Sequence, residues 1–240
     1  MTEGENVVLL GTTVNALTII IGTLIGKLLS KIPENMKNTV MKGIGLTVIV
    51  LGMQMAIKSN NFLIVILSIV FGAMLGEVID LDKKLNQLGQ WIERKINLKG
   101  EGNIAQGFVT ATLIFVIGAM AIVGALDSGI RGNHDVLYTK AIIDGFTAII
   151  LTTTLGIGVI FSSISVFLYQ GLIAIFANQI HLLVPQELMD SFITEMTSVG
   201  GIMILAIGLN LSNISNIRVA NLLPGILVVA LIVTLMYFIP

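Results

Sequence analysis

The chain has 240 residues, 55% of them hydrophobic and 11% charged, with a net charge of −1 and a mean hydropathy of +0.97. Soluble domains carry about 25% charged residues, so this composition belongs in a bilayer, and its near-zero charge offers no basic field for nucleic acid. The lack of cysteine excludes disulfides and thiolate metal sites, two histidines are too few for an ordinary His-based site, and no cofactor is expected.

The expected fold is an all-α polytopic membrane protein forming a single membrane domain over residues 1–240. The first segment, MTEGENVVLLGTTVNALTIIIGTLIG, has Glu3 and Glu5 where a cleavable signal has positive residues, so it reads as a retained span over Val7–Leu29. A span needs about 20 mostly apolar residues. That measure places further spans near Gly43–Ile57, Phe62–Ile79 and Gly107–Leu126. Between the last two, DLDKKLNQLGQWIERKINLKGEGN spaces Leu81, Leu85, Leu88, Ile92 and Ile96 along one helical face. With Lys83, Lys84, Arg94 and Lys95 among them and Trp91 at headgroup depth, it reads as an interfacial amphipathic helix.

The apolar tract Ala141–Ile180 is too long for one span. Phe161-Ser162-Ser163-Ile164-Ser165 divides it into Ala141–Ile160 and Ser165–Ile180, and Val199–Leu211 and Leu222–Ile239 complete the set. The count is eight, or seven if the long tract crosses once. In the eight-span order ten of the 13 Lys and Arg fall on one side, against Lys58, Arg131 and Lys140 on the other. The positive-inside bias makes the first side cytoplasmic, and the chain crosses the membrane several times.

GLTVIVLGMQM at Gly45–Met55 and GIMILAIGLNL at Gly201–Leu211 share one form: Gly, six apolar or near-apolar residues, Gly, apolar, amide, apolar. Upstream, IPENMKNTVMK parallels VPQELMDSFITEM; downstream, NFLIVI parallels NLLPGI. The loop at Pro33 carries four lysines, whereas Glu187, Asp190 and Glu195 follow Pro185 with no Lys or Arg. Opposite charge bias fits opposite membrane faces, hence an inverted repeat with halves at 7–79 and 165–240, a connector at 80–106 and central helices at 107–160. Gly43–Ile57 and Val199–Leu211 are short for a ~30 Å hydrocarbon core. Short, glycine-interrupted segments in matching places point to a transporter's midplane site, with Gln54, Asn210, Gly52 and Gly208 at the breaks. The alternative is that these glycines and amides only pack helices.

Other polar residues at depth are Asn15, in TTVNA, and Asp144, in KAIIDGFTAII. A carboxylate within a span is costly and marks function by default, although Lys140 lies four residues earlier and would pair with it near the outer interface. Asp127, in GALDSGIRGN, is the third candidate for contact with a small solute or ion, and Glu77 is expected to snorkel to water. Gly22/Gly26 and Gly72/Gly76 form G-x-x-x-G motifs that favour close crossing, within the protomer or in a homo-oligomer. No Walker loop, nucleophile elbow or HExxH appears, so no enzyme is expected.

VNALTIIIGTLIGKLL, FGAMLGEVIDLDKKLN, GALDSGIRGN with KAIIDGFTAIILTTTLGIGV, and SVGGIMILAIGLNL before NLLPGI run in that order along the chain. Together they resemble the bacterial integral-membrane family of unknown function that includes the YdfK and YqgA proteins. The resemblance implies a polytopic bacterial inner-membrane protein and carries no substrate or chemistry. The residues themselves favour a secondary transporter of a small solute or ion working by alternating access; the runner-up is a membrane scaffold or lipid-interacting assembly factor.

Overall fold

A computed structural model describes residues 8–29, 34–96 and 104–239, and among these every regular element is helical. The expectations resting on Glu3, Glu5, Lys31, Pro33 and Lys99, and on the side chains of Lys37, Leu88, Ile92 and Arg94 to Ile96, lie outside the described residues. The chain divides into two compact units, residues 1–33 with 88–184 and residues 34–87 with 185–240. Among the described residues seven helices are long and apolar enough to cross a membrane, and an eighth crossing results if one bent pair counts as a span.

In the first unit α1 (Leu10–Leu28) lies along α7 (Asp135–Leu155). The two run parallel: Gly11 meets Leu137, Gly22 meets Gly145 and Gly26 meets Ile149. The buried face of α1 recurs at Gly11, Asn15, Ile19, Gly22 and Gly26, about one residue per turn. Its opposite face exposes Leu17, Ile21, Leu24 and Leu28. Soluble proteins rarely expose a continuous apolar face of this kind; here it is the surface offered to lipid.

The expected single span Gly107–Leu126 is instead two helices, α5 (Ile104–Val116) and α6 (Ala119–Arg131), bent by 61°. The hydropathy is continuous, so composition could not show the break; the backbone turns at Gly118, at φ 156° and ψ 148°. The long apolar tract breaks at Gly156 rather than at the serines. Gly156 takes φ 80° and ψ −170°, a conformation open essentially to glycine alone. A 3-10 turn at Ile157–Phe161 then leads into α8 (Ser162–Ile175) and the short α9 (Ala177–Leu183). Ser162 and Ser163 do not break the chain, because each hydroxyl donates back to a carbonyl three residues earlier.

The second unit is built from α2 (Glu34–Ala56), α3 (Phe62–Ile79), α10 (Gln186–Leu211) and α11 (Gly225–Phe238), the last preceded by a 3-10 turn at Val219–Leu222. Helices α2 and α10 have 23 and 26 residues and are continuous, which corrects the expectation of two short, interrupted segments. The polar turns ENMKNT and QELMDS continue each helix beyond its apolar part, so the hydropathic length understated the structural one. Amphipathic α4 (Leu81–Ile96) forms as expected, and Asp80 in the left-handed conformation separates it from α3.

Helices α2 and α10 run antiparallel, with Gly45 against Gly208 and Gly52 against Gly201. A Cβ on Gly201 would lie 2.7 Å from the Gly52 carbonyl oxygen, so only glycine permits this approach. Helix α3 meets the start of α11 through Gly72 against Gly225, and the preceding 3-10 turn through Gly76 against Asn221. Both G-x-x-x-G faces, at Gly22/Gly26 and Gly72/Gly76, are therefore covered by the chain's own helices.

Candidate functional site

The sequence-derived candidates separate into three groups. Gln54 is exposed on a continuous helix, so there is no helix break for it to serve. Asn210 ties down the loop after α10: its Nδ2 donates to the Ile217 carbonyl at 2.7 Å, and its Oδ1 accepts from Ser215 Oγ and the Ile217 N–H. Gly52 and Gly208 are spent on the α2–α10 approach. Asp127 pairs with Arg131 one turn on, at 3.3 Å, and that arginine is largely exposed. Glu77 is not merely solvated, since it binds Arg218 and accepts from Asn221 Nδ2 at 2.6 Å.

Asn15 and Asp144 behave differently, and the structure brings them together. Asn15 lies on the buried face of α1 and is 0% exposed, while Asp144 stands tenth among the 21 residues of α7 and is 4% exposed. The helical rise sets Asp144 about 13 Å from the start of α7, near the middle of a span. Asn15 Nδ2 donates to Asp144 Oδ2 at 3.0 Å. Lys140 Nζ donates to both oxygens of the same carboxylate, at 2.8 and 2.6 Å. Lys140 is 7% exposed, so the expected interfacial pair is a buried one. The close approach of α1 to α7 at Gly11 and Gly22 is what covers it.

The fourth member is Gln170 of α8, 0% exposed, whose Oε1 accepts from Asn15 Nδ2 at 3.3 Å. Sequence reasoning passed over Gln170, yet the signal was present: SVFLYQGLIAI sets one amide beside a glycine in an apolar run, the pattern that drew notice to Gln54. Two buried atoms of the cluster have no protein partner, the acceptor Asn15 Oδ1 and the donor Gln170 Nε2. One turn before Asn15, Thr12 Oγ1 is likewise buried and unpartnered.

A second buried polar group sits at the start of α7. Ser128 Oγ donates to the Val8 carbonyl at 2.8 Å and lies 2.8 Å from His134 Nδ1. The serine has one proton and spends it on Val8, so His134 Nδ1–H must be the donor to Ser128 Oγ. His134 Nε2 then points into the protein without a partner.

Taking two charges out of water costs several kcal/mol per ion, and a good partner only repays it. An ionisable pair held at depth in a span is costly to keep and marks a functional place by default. Here the carboxylate is held by the Asn15 amide of α1, which also bonds the Gln170 amide of α8, and the two amides together retain one spare donor and one spare acceptor. That set suits recognition of a small polar solute or a cation competing with Lys140 for the carboxylate. Among the described residues no group of three or more His, Asp or Glu side chains could hold a metal ion.

Comparison with known proteins agrees with the membrane architecture. The chain is 32% identical over 223 residues to the "Uncharacterized membrane protein YdfK" of Bacillus subtilis (strain 168), covering 91% of this chain and 93% of that protein. It is 30% identical over 223 residues to the "Uncharacterized protein YqgA" of Escherichia coli (strain K12), with the same coverage. No solved structure matches it. The family described as "Protein of unknown function (DUF554)" matches residues 10–234, nearly the whole chain, and this membrane protein belongs to that family.

Proposed function

We propose that the protein is a secondary transporter of a small solute or ion, with Asn15, Lys140, Asp144 and Gln170 as its binding site. The observation that carries this reading is the Lys140–Asp144 pair buried at mid-span, with the Asn15 amide on its carboxylate and the Gln170 amide joined to Asn15. A solute cation would take the place of Lys140 on the carboxylate and meet the free Asn15 Oδ1, while the free Gln170 Nε2 would donate to an acceptor atom of the solute. The antiparallel α2–α10 pair supports an inverted repeat, because Gly45 on Gly208 and Gly52 on Gly201 is the contact set a two-fold axis would make. The setting proposed is the bacterial cytoplasmic membrane with the basic loops on the cytoplasmic side.

A membrane scaffold is the second reading. It is favoured by the second unit, where Gly52, Gly208 and Asn210 all serve packing or loop closure. Access to water separates the two. The chain has no cysteine, so Thr12→Cys reports alone on the buried face beside Asn15. In intact membrane vesicles a transporter lets a water-soluble maleimide reach this thiol, and Asp144→Asn changes the rate. Labelling only after denaturation in SDS would exclude the transport site and leave the scaffold.

A further inference from the structure

The second unit contains a cavity that the glycine seam does not use. Its volume is about 260 Å3, and Asn60, Asn61, Ser191, Glu195 and Tyr237 set polar groups into an otherwise largely aliphatic wall. Glu195 is 2% exposed. Its Oε2 accepts from Ser59 Oγ at 2.6 Å, and its Oε1 accepts from the backbone N–H groups of Asn60 at 2.9 Å and Asn61 at 3.1 Å. Both oxygens act as acceptors, which is how a carboxylate is held.

All three donors are neutral, and among the described residues no Lys or Arg lines the cavity. Buried charges are normally paired or coordinate a metal. Calcium takes six to eight oxygens, usually with several carboxylates, whereas Glu195 is the one acid in this lining. The charge therefore suits a single positive group. The volume falls below the ~300–1,000 Å3 of drug-sized sites. An ammonium has three N–H donors, which match the one spare lone pair of Glu195, on Oε2, with the Asn60 amide oxygen and the Ser191 hydroxyl. Ile64, Val233 and the Tyr237 ring supply an apolar lining for the attached carbon chain.

We propose that this cavity binds a primary alkylammonium group, carried by a free small amine or by the ethanolamine headgroup of a lipid. The site shares no residue with the Asn15–Asp144 cluster and stands or falls apart from the transport reading. The test uses the full chain in discs of phosphatidylglycerol, with ethylammonium chloride as probe and sodium chloride as the ionic-strength control. The unfolding midpoint should rise with ethylammonium in a saturable way, and not with sodium. Glu195→Gln should abolish the rise. Ser191→Phe should do the same by filling the cavity from an exposed position on α10, leaving the Glu195 bonds intact, so the test survives if Glu195→Gln fails to fold.

Discs containing phosphatidylethanolamine distinguish the sources. A headgroup occupant raises the midpoint beforehand and leaves ethylammonium without effect, whereas a free-amine site responds equally in both kinds of disc. An equal rise with sodium, a rise retained in Ser191→Phe, or no rise in phosphatidylglycerol discs would overturn the proposal.

Discussion

The α1–α7 seam of the first unit and the α2–α10 seam of the second use the same device to different ends. Each brings two helices together at glycines: Gly11, Gly22 and Gly26 of α1 with Gly145 of α7 in the first, Gly45 and Gly52 of α2 with Gly201 and Gly208 of α10 in the second. The second seam buries apolar residues such as Val48, Met55, Met203 and Ile204. The first encloses an ion pair and an amide, with a second amide from α8. Glycine pairing in a membrane therefore reports close approach and nothing about chemistry. What the approach covers decides between packing and a site.

The sharpest way to break this comparison is to leave one buried charge alone. Asp144→Leu should destabilise the first unit by about 3–5 kcal/mol, because Lys140 then stays at depth unpaired. Reversible unfolding in mixed micelles measures it, with Lys140→Met/Asp144→Leu expected close to wild-type stability. A cost under ~1 kcal/mol for the single variant would mean that the lysine reaches water, making the two seams alike in kind.

Overpacking the dry seam comes next. Gly201→Ala sets a methyl group against the α2 backbone and should cost about 1–3 kcal/mol. The same unfolding assay reads it, and an unaffected midpoint would show that α2 and α10 can part without penalty.

Removing one amide from the cluster should cost less. Gln170→Leu deletes a single 3.3 Å contact and one unpartnered donor together, so about 1 kcal/mol is expected. If transport is the function, the loss of activity should far exceed this loss of stability, and comparing the two in one preparation sharpens the contrast between site and packing.

Arg131→Ala is the small-effect control. The Arg131–Asp127 pair lies at the open end of α6 with the arginine largely exposed, so removing it should change stability by less than ~1 kcal/mol. A larger effect would place Asp127 among the working residues.

Membrane residence, the amphipathic character of α4, the matched glycine segments and the candidacy of Asn15 and Asp144 were all legible along the chain. Each follows from local composition or spacing, which bilayer thickness and helix periodicity convert directly into structure. The outcomes for individual residues were not legible, because burial depends on which helix lies opposite. Lys140 and Asp144 are neighbours by the helical repeat alone, but only α1 and α8 turn an interfacial pair into a buried cluster. Gln54 and Asn210 occupy equivalent places in two similar segments, yet one faces outward and the other closes a loop. Hydropathy located the spans but misplaced their ends and breaks. Polar turns extended α2 and α10, and Gly118 and Gly156 turned the backbone within tracts that stay hydrophobic on average. Spacing determines which face a residue occupies, and only the packed tertiary structure decides what that face meets.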